Sequence, residues 1–134
     1  MKHKKLIIGS LVAVTVACLL VLNPWGNKPF KDLSANEIAA VSIELMPPNK
    51  TFELTPNQIN DLASVLQTAV LYNKAPLEPL AGQSVIYQIE KTDGTTIKVE
   101  PMGDLIQIDG VRYKTKYEPS EELNRLANDI ANSK

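Results

Sequence analysis

Residues 6–22, beginning at Leu6 and ending at Leu22, run for 17 residues without one charged side chain (LIIGSLVAVTVACLLVL). A helix rising about 1.5 Å per residue carries such a run about 25 Å, the short end of a bilayer's hydrocarbon thickness. Lys2, Lys4 and Lys5 precede the run and every Asp and Glu follows it. Lysines ahead of the span and none directly behind it orient the N-terminus to the cytoplasm and the remainder to the opposite side. The expected organisation is a cytoplasmic stub at 1–5, a transmembrane anchor (or signal segment) at 6–22, a juxtamembrane linker at 23–33 and an extracytoplasmic domain at 34–134.

Three readings of residues 6–22 compete. As an uncleaved anchor the run has lysines to snorkel at one end and Trp25 to sit in the interfacial belt at the other. As a cleaved signal peptide it has the basic start, but its apolar stretch is long and Thr15-Val16-Ala17 is only a fair cleavage site. As a lipoprotein signal, Thr15-Val16-Ala17-Cys18 resembles a lipobox with Cys18 as the lipidated residue, although Leu is preferred where Thr15 stands. Leu19, Leu20, Val21 and Leu22 follow Cys18, where a lipoprotein carries a polar tether. The anchor is therefore preferred, with Cys18 a small apolar residue within it. All three readings place the domain on the same side of the membrane.

From Asn23 onward there are 11 Lys/Arg against 15 Asp/Glu, a net charge of −4 that the whole-chain value of −1 conceals. An acidic domain lacks the basic surface that phosphate neutralisation needs, so no nucleic-acid partner is expected. The only Cys is Cys18 and the only His is His3, so the soluble part has neither. That excludes an internal disulfide, thiol or Ser-His-Asp catalysis, and a Cys/His metal centre there. Carboxylate-only calcium or magnesium sites survive on counts, but no cofactor motif is present.

Along the soluble part, Asn23 to Lys31 (NPWGNKPFK) reads as a linker, with Phe30 assigned either to headgroups or to the domain. Ser34 with Glu37 three residues on reads as a short capped turn. Val41, Ile43 and Leu45 alternate with Ser42 and Glu44 as a half-buried strand, broken by Met46-Pro47-Pro48 and returning over Thr51 to Leu54, as an edge hairpin or a kinked edge strand. Thr55-Pro56-Asn57-Gln58 opens a helix whose Ile59, Leu62, Ala63, Leu66 and Val70 share one face. Asn73 to Gly82 reads as a loop. Four strands follow: Val85, Tyr87 and Ile89 on one, Ile97 and Val99 on the next, then two more around Asp109-Gly110, with Asp93-Gly94 turning the first pair. A last helix begins at Glu118-Pro119-Ser120 and presents Leu123, Leu126, Ala127 and Ile130. The expected class is α+β, a two-layer sandwich with two helices on one face of an antiparallel sheet, in the β-α-β4-α order of the TATA-binding-protein-like fold.

Candidate sites are few. Arg112, Lys114 and Lys116 recur at every second residue, a basic row on an outer strand face suited to an anionic partner. The competing reading is cross-strand pairing with Glu90, Glu100 or Asp109. Asp93-Gly94 and Asp109-Gly110 are read as hairpin turns rather than calcium loops, because neither has the spaced carboxylates of an EF-hand. Glu118, Glu121 and Glu122 suit a helix start, and Tyr113 and Tyr117 a packed face. No catalytic residue is assigned.

Residues from about Pro29 to Asn132 resemble a family of small extracytoplasmic domains of unknown function from Clostridia and related Gram-positive bacteria. The resemblance rests on Pro29-Phe30-Lys31-Asp32-Leu33, Met46-Pro47-Pro48-Asn49-Lys50, Gly82-Gln83, and Ile108-Asp109-Gly110-Val111-Arg112-Tyr113-Lys114 leading to Tyr117-Glu118-Pro119. It implies a lone membrane-anchored protein or a tail of a membrane sensor peptidase, and carries over no active residue. The expected function is a non-enzymatic, membrane-tethered binding or regulatory module with an extracytoplasmic or cell-envelope partner. The alternatives are a carboxylate-based cell-wall hydrolase and a structural or immunity-type protein.

Overall fold

Period-two alternation dominates the architecture. The computed structural model describes residues 26–47, 49–79 and 82–133. Seven strands form one antiparallel sheet: β1 (Ile38–Met46), β2 (Lys50–Glu53), β3 (Leu71–Lys74), β4 (Ser84–Lys91), β5 (Thr96–Met102), β6 (Leu105–Ile108) and β7 (Val111–Thr115), in spatial order β2-β1-β4-β5-β6-β7-β3. Ile43 lies opposite Phe52 on β2 and opposite Tyr87 on β4, and Tyr87 lies opposite Val99. Val41, Ile43, Leu45, Val85, Tyr87, Ile89, Val99 and Ile106 are buried on the inner face.

Two helices cover that face. Helix α1 (Pro56–Thr68) starts with the expected reciprocal cap: Gln58 N–H donates to the Thr55 hydroxyl, and Thr55 N–H to the Gln58 side chain at 2.8 Å. These bonds satisfy two donors the first turn would otherwise leave open. Ile59, Leu62, Ala63 and Leu66 form its buried stripe. Helix α2 (Tyr117–Asn132) buries Leu123, Ala127 and Ile130, and packs on α1, β5 and β6. The Tyr87 hydroxyl donates to the Leu123 carbonyl within this layer, and burial pushes the phenol pKa far above its usual value. The α+β layering is thus as the alternation and the two apolar stripes imply.

Three expectations are corrected. First, the sheet has a strand the sequence reading does not place. β2 is the return strand of the expected edge hairpin, but β3 closes the opposite edge, where the sequence reading has helix giving way to loop. Helix α1 stops at Thr68 because Ala69 turns extended, and Leu71 then pairs with Thr115. Second, packing begins before Ser34. Asn27 and Leu71 exchange both backbone hydrogen bonds at 2.7 Å, and Phe30 and Leu33 enter the core. Two large apolar side chains separated by two residues can both be buried by a tight turn, so 26–33 belongs to the domain rather than to a linker. Third, Lys116 and Tyr117 are not strand residues. Lys116 is the N-cap of α2, and Tyr117, in its first turn, is exposed.

The 3-10 turn Ala35–Glu37 takes Ser34 as its cap, as expected. The turn between β6 and β7 holds Asp109 and Gly110 at φ 50° and 84°. Both central residues of a two-residue hairpin in this conformation must be left-handed, which Asp tolerates and Gly adopts freely. Trp25, Cys18 and residues 6–22 lie outside the described residues. Among the described residues no helix is long and apolar enough to cross a membrane.

Candidate functional site

Strand β7 directs Tyr113 inward and Arg112 and Lys114 outward. Arg112 lies opposite Gln107, itself opposite Glu100, so these three polar residues form a row across the outer face. The connection from β3 to β4 must pass three strands, since β7, β6 and β5 separate its ends. Its described first part, residues 75–79, lies over the outer face. Ala75 N–H donates to the Arg112 carbonyl at 2.9 Å, and the Arg112 side chain lies beneath the connection, only 7% exposed.

Its guanidinium is held by neutral acceptors. Nη1 donates to the Glu78 carbonyl at 2.6 Å and the Pro76 carbonyl at 3.4 Å, and Nη2 to Gln107 Oε1 at 3.3 Å. Nε is buried without a partner among the described residues, and among them Arg112 makes no salt bridge. A buried cation with no counter-ion is costly unless its donors are used. Carbonyls of the crossing loop supply that compensation, so Arg112 ties the loop to the sheet. It is not part of an exposed basic row, and its carbonyl partners replace the acidic cross-strand partners weighed from the sequence.

A cavity of about 430 Å³ opens beside this clamp, lined by Glu78, Gln83, Ser84, Glu100, Met102 and Arg112 among others. Proline explains its position. β4 and β5 are paired from Tyr87 and Val99 to Glu90 and Thr96, and the pairing goes no further toward Pro101. Pro101 has no N–H to offer β4, so the strands part there. Ser84 Oγ spans the gap by donating to Glu100 Oε1 at 2.9 Å. The cavity therefore combines a buried cation, two glutamates and a hydroxyl, a lining suited to small polar or zwitterionic groups. Sequence reasoning weighed Glu100 only as a cross-strand partner of the basic row and missed Ser84 and Glu78, since β4 and the β3–β4 connection are brought to it only by the sheet topology.

The other singled-out residues are dispersed. Lys114 and Lys116 are exposed. Asp93 Oδ1 accepts from Thr95 N–H and Oγ1 at 2.9 and 2.6 Å, and this hydrogen bonding from Thr95 holds its carboxyl below the usual aspartate range. Asp109 Oδ1 accepts from Lys98 N–H at 2.8 Å. Both carboxylates are engaged in hairpin turns. Glu118 pairs with Arg125 on the exposed side of α2 at 3.4 Å. Tyr113 packs half-buried against the core. Among the described residues no three His, Cys, Asp or Glu converge as a metal set would.

No protein-family model, curated protein or solved structure matches the chain.

Proposed function

We propose that the chain is a membrane-tethered, extracytoplasmic binding or regulatory module that performs no chemistry itself, akin to the clostridial family it resembles. One juxtaposition carries this reading. The apolar run ends at Leu22, four residues before Gly26, and by Asn27 the chain already belongs to a packed sheet. A folded domain so close in sequence to an apolar run of bilayer length supports a role at a membrane surface. The TATA-binding-protein-like likeness belongs to the same proposal only as architecture, since a shared fold does not convey function. Residues 23–134 contain no His and no Cys, which removes the usual nucleophile–base pairs. The cavity beside Arg112 is the concave site at which such a module takes a small polar group.

One observation favours a second reading, the carboxylate-based hydrolase. Glu78 and Glu100 line the same cavity, and two facing carboxylates are what glycoside hydrolysis requires. The full chain in detergent, assayed on cell-wall glycans and peptides, separates the two. Binding without turnover supports the module. Turnover abolished by both Glu78→Gln and Glu100→Gln overturns it in favour of the hydrolase.

A further inference from the structure

Exposed charge is sorted across the sheet. At the β2 side the exposed acids Glu44, Glu53 and Glu90 outnumber the exposed Lys50 of β2. At the opposite edge the chain arrives at Asn27, which bridges Leu71 of β3, itself paired with Thr115 of β7. Asn27 and Thr115 thus stand on either side of Leu71, about 10 Å apart at the usual strand spacing, with Lys28 and Lys116 the next residues along the chain. Lys74, opposite Tyr113, and Lys114 lie further along the same two strands. All four lysines are exposed, as is Lys31 in the turn that follows. The exposed acids nearest them are Asp32, next to Lys31, Asp104, whose carbonyl accepts from Thr115 N–H, Glu78, four residues after Lys74, and Glu118, which pairs with Arg125. An edge rich in cations thus stands on a domain whose net charge is −4 from Asn23 onward.

The cationic edge is also the edge where the apolar run arrives. Leu22 and Asn27 are five positions apart, and a fully extended stretch of that length reaches at most about 17 Å. Lys28 therefore lies within a few Debye lengths of the end of the run, whatever the conformation between.

We propose that this edge, through Lys28, Lys74, Lys114 and Lys116, rests on the anionic lipid headgroups of the membrane that holds the chain. The inference depends on the anchor reading of residues 6–22. It orients the sheet with β3 against the bilayer and β2 some 29 Å away, six strand spacings out. The cavity beside Arg112, which reaches from β7 to β4, then lies at mid-height of the domain.

The experiment uses the full chain in lipid nanodiscs doped with a gadolinium-chelating lipid, with amide signals as the readout. In discs containing one-third phosphatidylglycerol, amides of 27–31, 71–74 and 114–116 should fall to roughly a tenth of the intensity kept by Lys50–Glu53. That contrast should shrink at least about threefold in phosphatidylcholine alone, and equally in the K28E/K74E/K114E/K116E variant, while K50E/K98E leaves it intact. Equal contrast in both lipids and in the fourfold variant overturns the lipid contact while leaving the anchor standing. Shifts at Lys114 and Lys116 on adding soluble poly(glycerol phosphate), with no lipid dependence, reassign the edge to a wall polymer and also overturn it. A chain that does not remain with the discs overturns the anchor reading and this inference together.

Discussion

The two faces of the sheet are closed by different means. The inner face is sealed by two helices whose apolar stripes meet Val85, Tyr87 and Ile89, none of them exposed. The outer face is mostly solvated and is crossed by one irregular connection, held to it by the Arg112 guanidinium. Apolar burial is non-directional and spread over many contacts, whereas the clamp concentrates its hold in a few donors. The inner face should therefore govern global stability and the outer face local order.

The largest expected effect lies on the inner side. Leu62→Ala removes a fully buried side chain between helix and sheet and should cost about 3–4 kcal/mol in denaturant unfolding. Gln88→Ala on the exposed outer face should stay within about 0.5 kcal/mol. Similar losses at both positions would break the comparison.

Arg112→Met should fall between them. It leaves the Pro76 and Glu78 carbonyls and Gln107 without their donor, at a cost of about 1–3 kcal/mol. More telling is where the loss appears. Limited proteolysis should cut between Lys74 and Ser84 much faster in the variant, while amide exchange in β4 and α1 slows or quickens only with global stability. Uniform loosening of both faces would show that the guanidinium is not a local clamp.

Tyr87 sharpens the inner-face account through pH. Its folded pKa is raised above the ordinary value of 10 because burial disfavours the phenolate. Its contribution is thus complete below pH 10 and lost as pH rises beyond it, by about 1.4 kcal/mol per pH unit. Tyr87→Phe should cost about 1 kcal/mol at neutral pH through the lost bond to Leu123, and should flatten part of that alkaline decline.

The smallest effect is at the exposed hairpin tip. The folded pKa of Asp93 is depressed by its bonds from Thr95, so its contribution is present above the ordinary aspartate value and lost as pH falls through the lower one. Asp93→Asn should therefore weaken the domain slightly at neutral pH, with the two unfolding curves converging at acid pH.

How much of this could be read from residues alone follows the same division. The inner face was legible because Val85, Tyr87 and Ile89, and the Thr55–Gln58 cap with its following stripe, are local patterns of fixed period. β3 was not. Four residues with one buried side chain carry almost no alternation, and its place depends on Thr115 and Asn27, each more than forty residues away. Phe30 and Leu33 were masked by the Pro- and Gly-rich composition around them. Arg112 is the instructive case. Alternation placed it correctly on the outer face, but outer does not mean exposed when a connection crosses above. The cavity, equally non-local, had only Pro101 as a signal, a proline in an otherwise continuous strand pattern.

The central claim, a domain held at a membrane on its extracytoplasmic side, is tested most directly by labelling intact cells. In full-length chain carrying Asn60→Cys, an exposed site on α1, a membrane-impermeant maleimide should react without lysis. The labelled protein should then stay in the membrane pellet after alkaline carbonate extraction. Labelling only after lysis, or release into the carbonate supernatant, would contradict the account.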